Sequence, residues 1–258
     1  MRAMWSGAIS FGLVNVPVKL YKASEGEPFD FDLLRRDDKC RIRYLRVCQD
    51  SGEEVEYEDI VKGYEYEDGR YIILETEDFQ AASPSQGKTI EILTFVDEDD
   101  IDPKYLEQPY YLEPDEKAAQ AYALLRDALD RTGKVAIARY MIRTRQHLGM
   151  IKAQGDVIIL NQMRFAAEIR PTEELNLPEN VKLEKRQMDL AVELIERMTE
   201  EWKPEEYRDT YVDALKEVIQ QKIEGREIEI EEEPIPVEVV DLFSQLRRSL
   251  EMAEERKK

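Results

Sequence analysis

Hydrophobic and polar positions alternate along much of the first half of the chain, which is the pattern of half-buried β-strands. The segment 8–21 is rich in β-branched and aromatic residues, and Pro17 within it indicates a sheet edge or a bulge. Asp78 marks a short helical turn between two later strands. Those two strands are predicted at 70–74 and 89–96, and a further alternating strand is predicted at 41–47.

The middle of the chain predicts one helix followed by three strands. The helix spans 116–131, and its apolar stripe recurs at spacings of four, three and four: Ala118, Tyr122, Leu125 and Leu129. Gly133 suits the end of this helix. Strand-like runs follow at 135–145, 148–152 and 156–165, with turn residues at 155–156. Several short strands at such spacing favour a barrel.

From residue 178 the apolar positions take on helical spacing. We expect two stripes to form core: Met188, Val192, Ile195 and Met198 in the first, and Tyr207, Tyr211, Leu215, Ile219 and Lys222, ended by Gly225, in the second. Residues 227–238 are acidic, contain two prolines and predict an exposed linker. A short helix at 241–254 carries the stripe Leu242, Phe243, Leu246 and Leu250, which could dock on a partner or on the chain's own body.

The net charge of −20 over 258 residues argues against a nucleic-acid partner, but the charge is unevenly distributed. Residues 131–170 hold eight Lys or Arg against two Asp or Glu. This segment could be one local surface for a polyanion or simply a solvated basic face. No apolar run suggests a membrane span or a secretory signal, and two cysteines make no disulfide framework, so we expect a reduced, cytosolic protein.

Motifs for catalysis or cofactor binding are lacking in the sequence. His147 is the one histidine, and there is no nucleophile elbow, phosphate-binding loop, dinucleotide fingerprint or zinc-protease motif. We therefore expect no catalytic residue and no cofactor. Cys40, Cys48 and His147 supply at most three metal ligands, so no metal is expected within one subunit, although a site shared between subunits stays open.

The segment 135–147 is the most informative local feature. Read as one strand, it places Arg139, Arg143, Arg145 and His147 on a single face, which begins apolar and ends basic, while the other face is uncharged. A strand that leaves a core and presents its arginines to a phosphate backbone has this pattern. A strand that merely reaches solvent has it as well.

Six blocks of this sequence resemble the bacterial Ku proteins. The first block is long and distinctive and includes Met4-Trp5-Ser6-Gly7-Ala8-Ile9-Ser10-Phe11-Gly12. Another is Arg41-Ile42-Arg43-Tyr44. In chain order the blocks lie at 2–21, 41–44, 57–65, 110–115, 132–135 and 239–242.

The resemblance implies a mixed α/β, mainly β fold: a Ku-type β-barrel core with a bridging arm and C-terminal helices. Two identical subunits would interlock their arms into a ring around a double-stranded DNA end. The implied role is non-enzymatic. The ring protects ends and recruits a multifunctional ATP-dependent DNA ligase of the ligase D type for non-homologous end joining, in the cytoplasm at the nucleoid.

The same resemblance suggests domains and contacts. We expect a core at 1–226, the linker at 227–238 and a partner-docking segment at 239–258, whose helical stripe would bind the ligase. The DNA contacts would come from the basic strand, through Lys134, Arg139, Arg143, Arg145 and His147. Weaker candidates are Lys19, Arg41, Arg43 and Arg46.

Two features depart from the family pattern. Many relatives carry a Cys-x-x-Cys after the Arg-Ile-Arg-Tyr segment, whereas Cys48 is followed by Gln49, Asp50 and Ser51. The sequence also lacks a long Lys-rich tail and resembles the short form of the family. A rival interpretation remains open, in which the acidic surface and docking helix belong to a protein-interaction β-barrel. A hydrolase using acidic residues has no supporting motif.

Overall fold

Seven strands close a β-barrel in the N-terminal part of the chain. The computed structural model describes residues 1–26, 29–82, 88–143, 145–178, 181–226 and 242–256. The strands are β1 (Trp5–Phe11), β2 (Val14–Lys22), β3 (Lys62–Glu67), β4 (Arg70–Leu74), β5 (Thr89–Asp97), β6 (Leu106–Pro114), β7 (Lys134–Ile142), β8 (Arg145–Gln154) and β9 (Val157–Met163). The helices are α1 (Thr76–Ala81), α2 (Ala119–Thr132), α3 (Lys185–Met198), α4 (Thr210–Ile223) and α5 (Leu242–Arg256).

The barrel order is β1-β2-β6-β9-β8-β7-β5, and a parallel pairing of β1 with β5 completes the circle. All the other barrel pairings are antiparallel. The predicted barrel and its mixed, mainly β class are therefore confirmed. The chain forms two compact units, Met1–Thr172 and Glu173–Lys258, and the barrel lies in the first.

Alternating side chains fill the barrel, as the period of two requires. On β7, Ala136, Ala138 and Tyr140 are buried in the main core. Helix α2 adds its predicted stripe of Tyr122, Leu125 and Leu129, which is confirmed as buried. The helix ends at Gly133, whose φ of 61° is the left-handed value expected of a C-terminal glycine.

A buried hydroxyl joins α2 to two barrel strands. Tyr122 Oη donates to the carbonyl of Leu112 on β6 and accepts from the backbone N–H of Ile158 on β9, each at 2.7 Å. Leu112 and Ile158 are also paired in the β6–β9 ladder. Because burial removes water from these groups, the hydroxyl is their replacement partner.

The predicted strand at 8–21 is a hairpin. Strand β1 passes through Gly12, whose φ is 58°, into β2. Pro17 pairs with Ala8 of β1 but precedes the β2–β6 register, so the expectation of an edge position holds locally, while the unbroken β1–β2 register shows no bulge. The β2–β6 register starts at Val18, so Pro17 lies just past it, and its carbonyl accepts from Asp115 N at 3.1 Å.

Between β2 and β5 the chain leaves the barrel. We call residues 23–82 the arm, and none of its described residues is buried. The predicted strand at 70–74 is confirmed as β4, paired with β3, and the helical turn at Asp78 is α1. The predicted strand at 41–47 is wrong: only the isolated bridges Leu34–Arg41 and Val47–Glu54 form there.

Two local reversals explain the missing strand. Lys39 has a φ of 56° and Gly52 a φ of 71°, values typical of tight turns. Each turn folds the chain back on itself, so Arg35 N bonds to Cys40 O and Cys48 N bonds to Glu53 O, both at 2.8 Å. The segment 41–47 thus belongs at its start to one reversal and at its end to the other, and it forms no continuous strand.

The second unit contains α3, α4 and α5. Neither α3 nor α4 has a buried residue, so the expectation that their stripes form core within this chain is wrong. Ile195 is 66% exposed and Tyr211 is 71% exposed. Helix α5 packs on α3, with Leu250 buried and the Arg186 guanidinium 4.7 Å from the centroid of the Phe243 ring.

The predicted linker at 227–238 lies outside the described residues, and the domain boundaries at 226 and 238 stay predictions. Among the described helices, none has the length and apolar character needed to cross a bilayer.

Replacing Tyr122 with Phe should destabilise the protein by roughly 1–3 kcal/mol, because Leu112 O and Ile158 N lose their shared buried partner. Urea denaturation would measure this as a lower midpoint with an unchanged slope. Tyr211→Phe is the matched control, since that side chain is 71% exposed. Equal midpoints for the two variants would contradict a structural role for the Tyr122 hydroxyl.

Candidate nucleic-acid interface

The predicted basic strand is a hairpin. Strand β7 ends at Ile142, β8 begins at Arg145, and these two residues are paired. Arg143 has a φ of 56°, a conformation that tight hairpin turns require. The interpretation of 134–147 as one continuous strand is therefore wrong, because the chain reverses direction at Arg143.

The reversal changes which residues share a face. Residues directly opposite each other in an antiparallel pair lie on the same side of the sheet. Tyr140 opposes His147 and Arg139 opposes Leu148. His147 and Arg145 consequently lie on the side of Tyr140, and Arg139 lies on the other side. The expectation that Arg139, Arg145 and His147 share one basic face is therefore wrong.

The candidate cations occupy three places. Arg143, Arg145 and His147 lie at the end of the barrel formed by the β7–β8 turn, which we call the hairpin end. Lys134 begins β7, so about eight residues at ~3.3 Å each, roughly 26 Å, separate it from Ile142. Arg139 lies between them on the opposite face of the sheet.

Most of these cations are held by a carboxylate of the same chain. Lys134 Nζ lies 2.5 Å from Asp97 Oδ1, Arg139 Nη2 lies 2.8 Å from Glu91 Oε2, and Arg145 Nη2 lies 3.1 Å from Glu168 Oε1. Arg143 is exposed and has no ion pair among the described residues. Counting only ion pairs within the described ranges, the hairpin end therefore presents one unpaired arginine beside one paired arginine.

The weaker candidates lie on β2 and the arm. Lys19 Nζ is 3.5 Å from Asp115 Oδ1, and Arg41 Nη2 is 2.8 Å from Asp32 Oδ2. The Arg46 guanidinium lies 5.0 Å from the centroid of the Tyr57 ring. Arg43 is exposed, and the described part of the chain offers it no ion pair. Their assignment to DNA stays a prediction.

A polar cavity lies behind the hairpin end. It is lined by Glu107, Arg145, Gln146, His147, Gln162, Met163, Arg164, Phe165 and Glu168. Gln162 Nε2 donates to Glu107 Oε2 at 2.8 Å, and Arg164 Nη1 donates to Leu106 O at 3.0 Å. The sequence interpretation missed Arg164, although it belongs to the basic segment 131–170. It also missed the acids, which are Glu107 on β6 and Glu168 in the short helical turn after β9.

His147 is half-buried in this cavity and stacks on Tyr140, with ring centroids 5.5 Å apart. Burial, followed by the nearby Arg145 charge, lowers the pKa of His147, while Glu107 and Glu168 raise it more weakly. The imidazole is consequently neutral at neutral pH. It can exchange hydrogen bonds with a ligand but does not add a positive charge.

No group of three or more His, Cys, Asp or Glu side chains within the described ranges is placed to hold a metal ion. Cys40 and Cys48 are free and exposed. Hydrogen bonds from Ser51, first from its backbone, lower the pKa of the Cys48 thiol.

The stripe assigned to a partner lies on α5. Leu250 is buried, and Phe243 and Leu246 are half-buried, within a unit where α5 contacts α3. The side chain of Leu242 is outside the described set. A partner that took this stripe would compete with α3, and partner binding by these residues stays a prediction.

Together these features define a closed β-barrel protein whose arm carries exposed apolar side chains and whose surface carries exposed cations. The family model described as the Ku70/Ku80 beta-barrel domain matches residues 10–190. The chain belongs to the Ku family, which confirms the resemblance seen in the sequence.

Curated relatives cover almost the whole chain. The protein named non-homologous end joining protein Ku from Opitutus terrae is 44% identical over 97% of this chain and 91% of its own length. Proteins of the same name from Pseudomonas aeruginosa and Desulfitobacterium hafniense are each 41% identical. They cover 96% and 100% of this chain and 88% and 90% of their own lengths.

His147 should titrate in NMR with a midpoint below 6.5, the ordinary histidine value. Being the one histidine, it gives an unambiguous signal. Arg145→Ala should raise the midpoint, whereas Glu107→Gln should lower it further. Because the unfolded chain binds this proton more readily, the group's contribution to stability falls as pH drops below about 6.5. A midpoint above 6.5 would contradict the buried placement.

Proposed function

We propose that this chain forms a homodimeric, non-enzymatic ring that binds double-stranded DNA ends without sequence specificity and recruits an ATP-dependent ligase for non-homologous end joining. Membership of the Ku family and the names of the relatives support this proposal. The function would place the protein with the nucleoid in the cytoplasm. The main structural support for the proposed ring is the exposed surface of the arm.

The arm is chemically suited to a protein partner. None of its described residues is buried, yet it exposes large apolar side chains, among them Phe31, Tyr44, Tyr64, Ile72 and Ile73. Patches of this kind mark interaction surfaces, because leaving them in water forfeits the hydrophobic gain of burial. A second copy of the same arm is the partner that closed two-fold symmetry supplies most simply.

The helices of the second unit support the same dimer. Helices α3 and α4 are amphipathic, but neither has a buried residue in the single chain, and Ile195 and Tyr211 of their stripes are exposed. Short helices depend on burying an apolar face for their stability. A second chain would turn these stripes into the core that the sequence pattern predicts.

The DNA contacts are proposed at the hairpin end, at Arg139 on β7 and along the arm. Arg143 and Arg43 are exposed without ion pairs among the described residues, and Arg145 is 74% exposed beside Glu168. Such cations suit phosphates, which position a protein on DNA but carry no base sequence directly. Free ends, rather than a sequence, would then determine binding to a closed ring.

The tail is proposed to serve the ligase. Helix α5 carries a short apolar stripe and follows the acidic segment 227–238. Burial of one Leu or Phe yields about 1.5–3 kcal/mol, so a groove that captured several could offset the cost of freeing α5 from α3.

Gel shifts with linear duplex should show binding that persists across unrelated sequences, whereas covalently closed circular duplex should not be bound. A ring can be threaded only at an end, which is the physical reason for the difference. Light scattering of the same sample should give the mass of two chains. Equal affinity for the two DNA forms, or end binding by a monomer at micromolar concentration, would contradict the ring.

A chain ending at Glu238 should still bind ends and melt within a few degrees of the full chain, but it should fail to stimulate the ligase. The variant removes the α5 stripe and leaves the barrel and arm intact. Ligation of linear duplex, with and without each form of the protein, measures the effect. A sharp fall in melting temperature together with lost end binding would show instead that the tail belongs to the core.

A further inference from the structure

Five of the cations assigned to DNA are each paired with a carboxylate of the same chain. The carboxylates are Asp32, Glu91, Asp97, Asp115 and Glu168, and the atoms that they pair lie 2.5–3.5 Å apart. We propose that two of these acids, Glu168 and Glu91, limit the affinity for DNA by competing with phosphate for Arg145 and Arg139. This inference rests on the proposed DNA-end binding.

Glu168 is anchored and its arginine is not. One carboxylate oxygen, Oε2, accepts from the backbone N–H of Phe165 at 2.8 Å, and the other, Oε1, accepts from Arg145 at 3.1 Å. The Arg145 side chain is 74% exposed, against 40% for Glu168. When a phosphate approaches, Arg145 is therefore the partner that can move, while Glu168 stays in place as a competing anion.

Glu91 is fixed by the barrel itself. It pairs with Ser10 across the β1–β5 closure and with Arg139 across the β5–β7 ladder. The Arg139 Nη2 to Glu91 Oε2 distance is 2.8 Å, and both side chains are about half exposed. Since opposite charges directly across a ladder attract, the backbone register holds the acid against the arginine.

Each pairing sets up an exchange. A phosphate that takes Arg145 or Arg139 must first break an ion pair, and the released carboxylate then lies close to the polyanion. Exposed ion pairs are weak, so DNA can win this exchange, but at a reduced net gain. The acids thus weaken end binding without blocking it.

The test compares Glu168→Gln and Glu91→Gln with the wild-type dimer in end-binding titrations on linear duplex. Glutamine keeps the shape of glutamate at both positions, so only the charge is removed. At position 168 it can still accept the hydrogen bond from Phe165 N. We expect binding to tighten by roughly two- to fivefold for each released pair, compounded over two subunits. The plot of log affinity against log salt should steepen, because no freed carboxylate takes up a cation.

A matched control separates local competition from a general change in charge. Asp127 lies 2.8 Å from Arg126, which is not among the assigned DNA contacts. Asp127→Asn changes the net charge by the same amount and removes one of the two carboxylates paired with Arg126, the other being Asp156, but it should leave the affinity unchanged. Thermal melting of each variant checks that the barrel is intact.

Arg145→Ala supplies the decisive comparison, because Glu168 then has no arginine to compete for. Adding Glu168→Gln to that variant should produce no tightening. If wild type binds ends but both glutamine variants match Asp127→Asn, or the gain persists without Arg145, the inference is overturned. If wild type does not bind ends, the proposed function itself fails, which is a different outcome.

Discussion

The parallel pairing of β1 with β5 is the contact on which the rest of the barrel depends. Only Ala8–Thr89, Ile9–Ile90 and Ser10–Glu91 form it, yet without it β1 and β5 would be open edges. The pairing sets the position of β5, and β5 in turn sets the register of β7 and of the hairpin that follows. The position of the β7–β8 hairpin at the candidate interface thus depends on the β1–β5 pairing, which joins distant parts of the sequence.

Two kinds of exposed surface in the single chain differ in how far their groups already have partners. Apolar side chains on the arm and on α3 and α4 lack burial, which a second protein surface would supply. The cations, by contrast, are mostly satisfied already, because acids such as Glu91 and Glu168 neutralise them. The proposed association of two chains would therefore be driven by hydrophobic burial. The proposed contact with DNA would instead replace carboxylate partners of the cations by phosphates, with a small net gain.

The sequence predicted the barrel and α2 well, because their signals are periodic and local: the stripe of Tyr122, Leu125 and Leu129 is buried as expected. It failed at the β7–β8 turn, since Arg143 and Thr144 lack the Asn-Gly signature and alternation continues across the reversal. It could not pair Arg139 with Glu91, 48 residues away, because only the closed ladder brings them together. The apolar stripes of α3 and α4 were wrongly expected to form core within this chain. Helical periodicity predicts that a face is buried, but it does not tell whether the same chain or another one covers it.

The arm leaves β2 and returns at β5, and both strands flank β1. Leu20 pairs with Trp5 and Thr89 with Ala8 of β1, so the barrel registers hold the end of β2 and the start of β5 at a fixed separation. Its length, turns and surface can then vary without a change in the register of any barrel strand. The arm can therefore change in evolution, and with it the surface that it presents to a partner, while the barrel stays the same. A protein engineer could exchange the arm between relatives at the same two junctions.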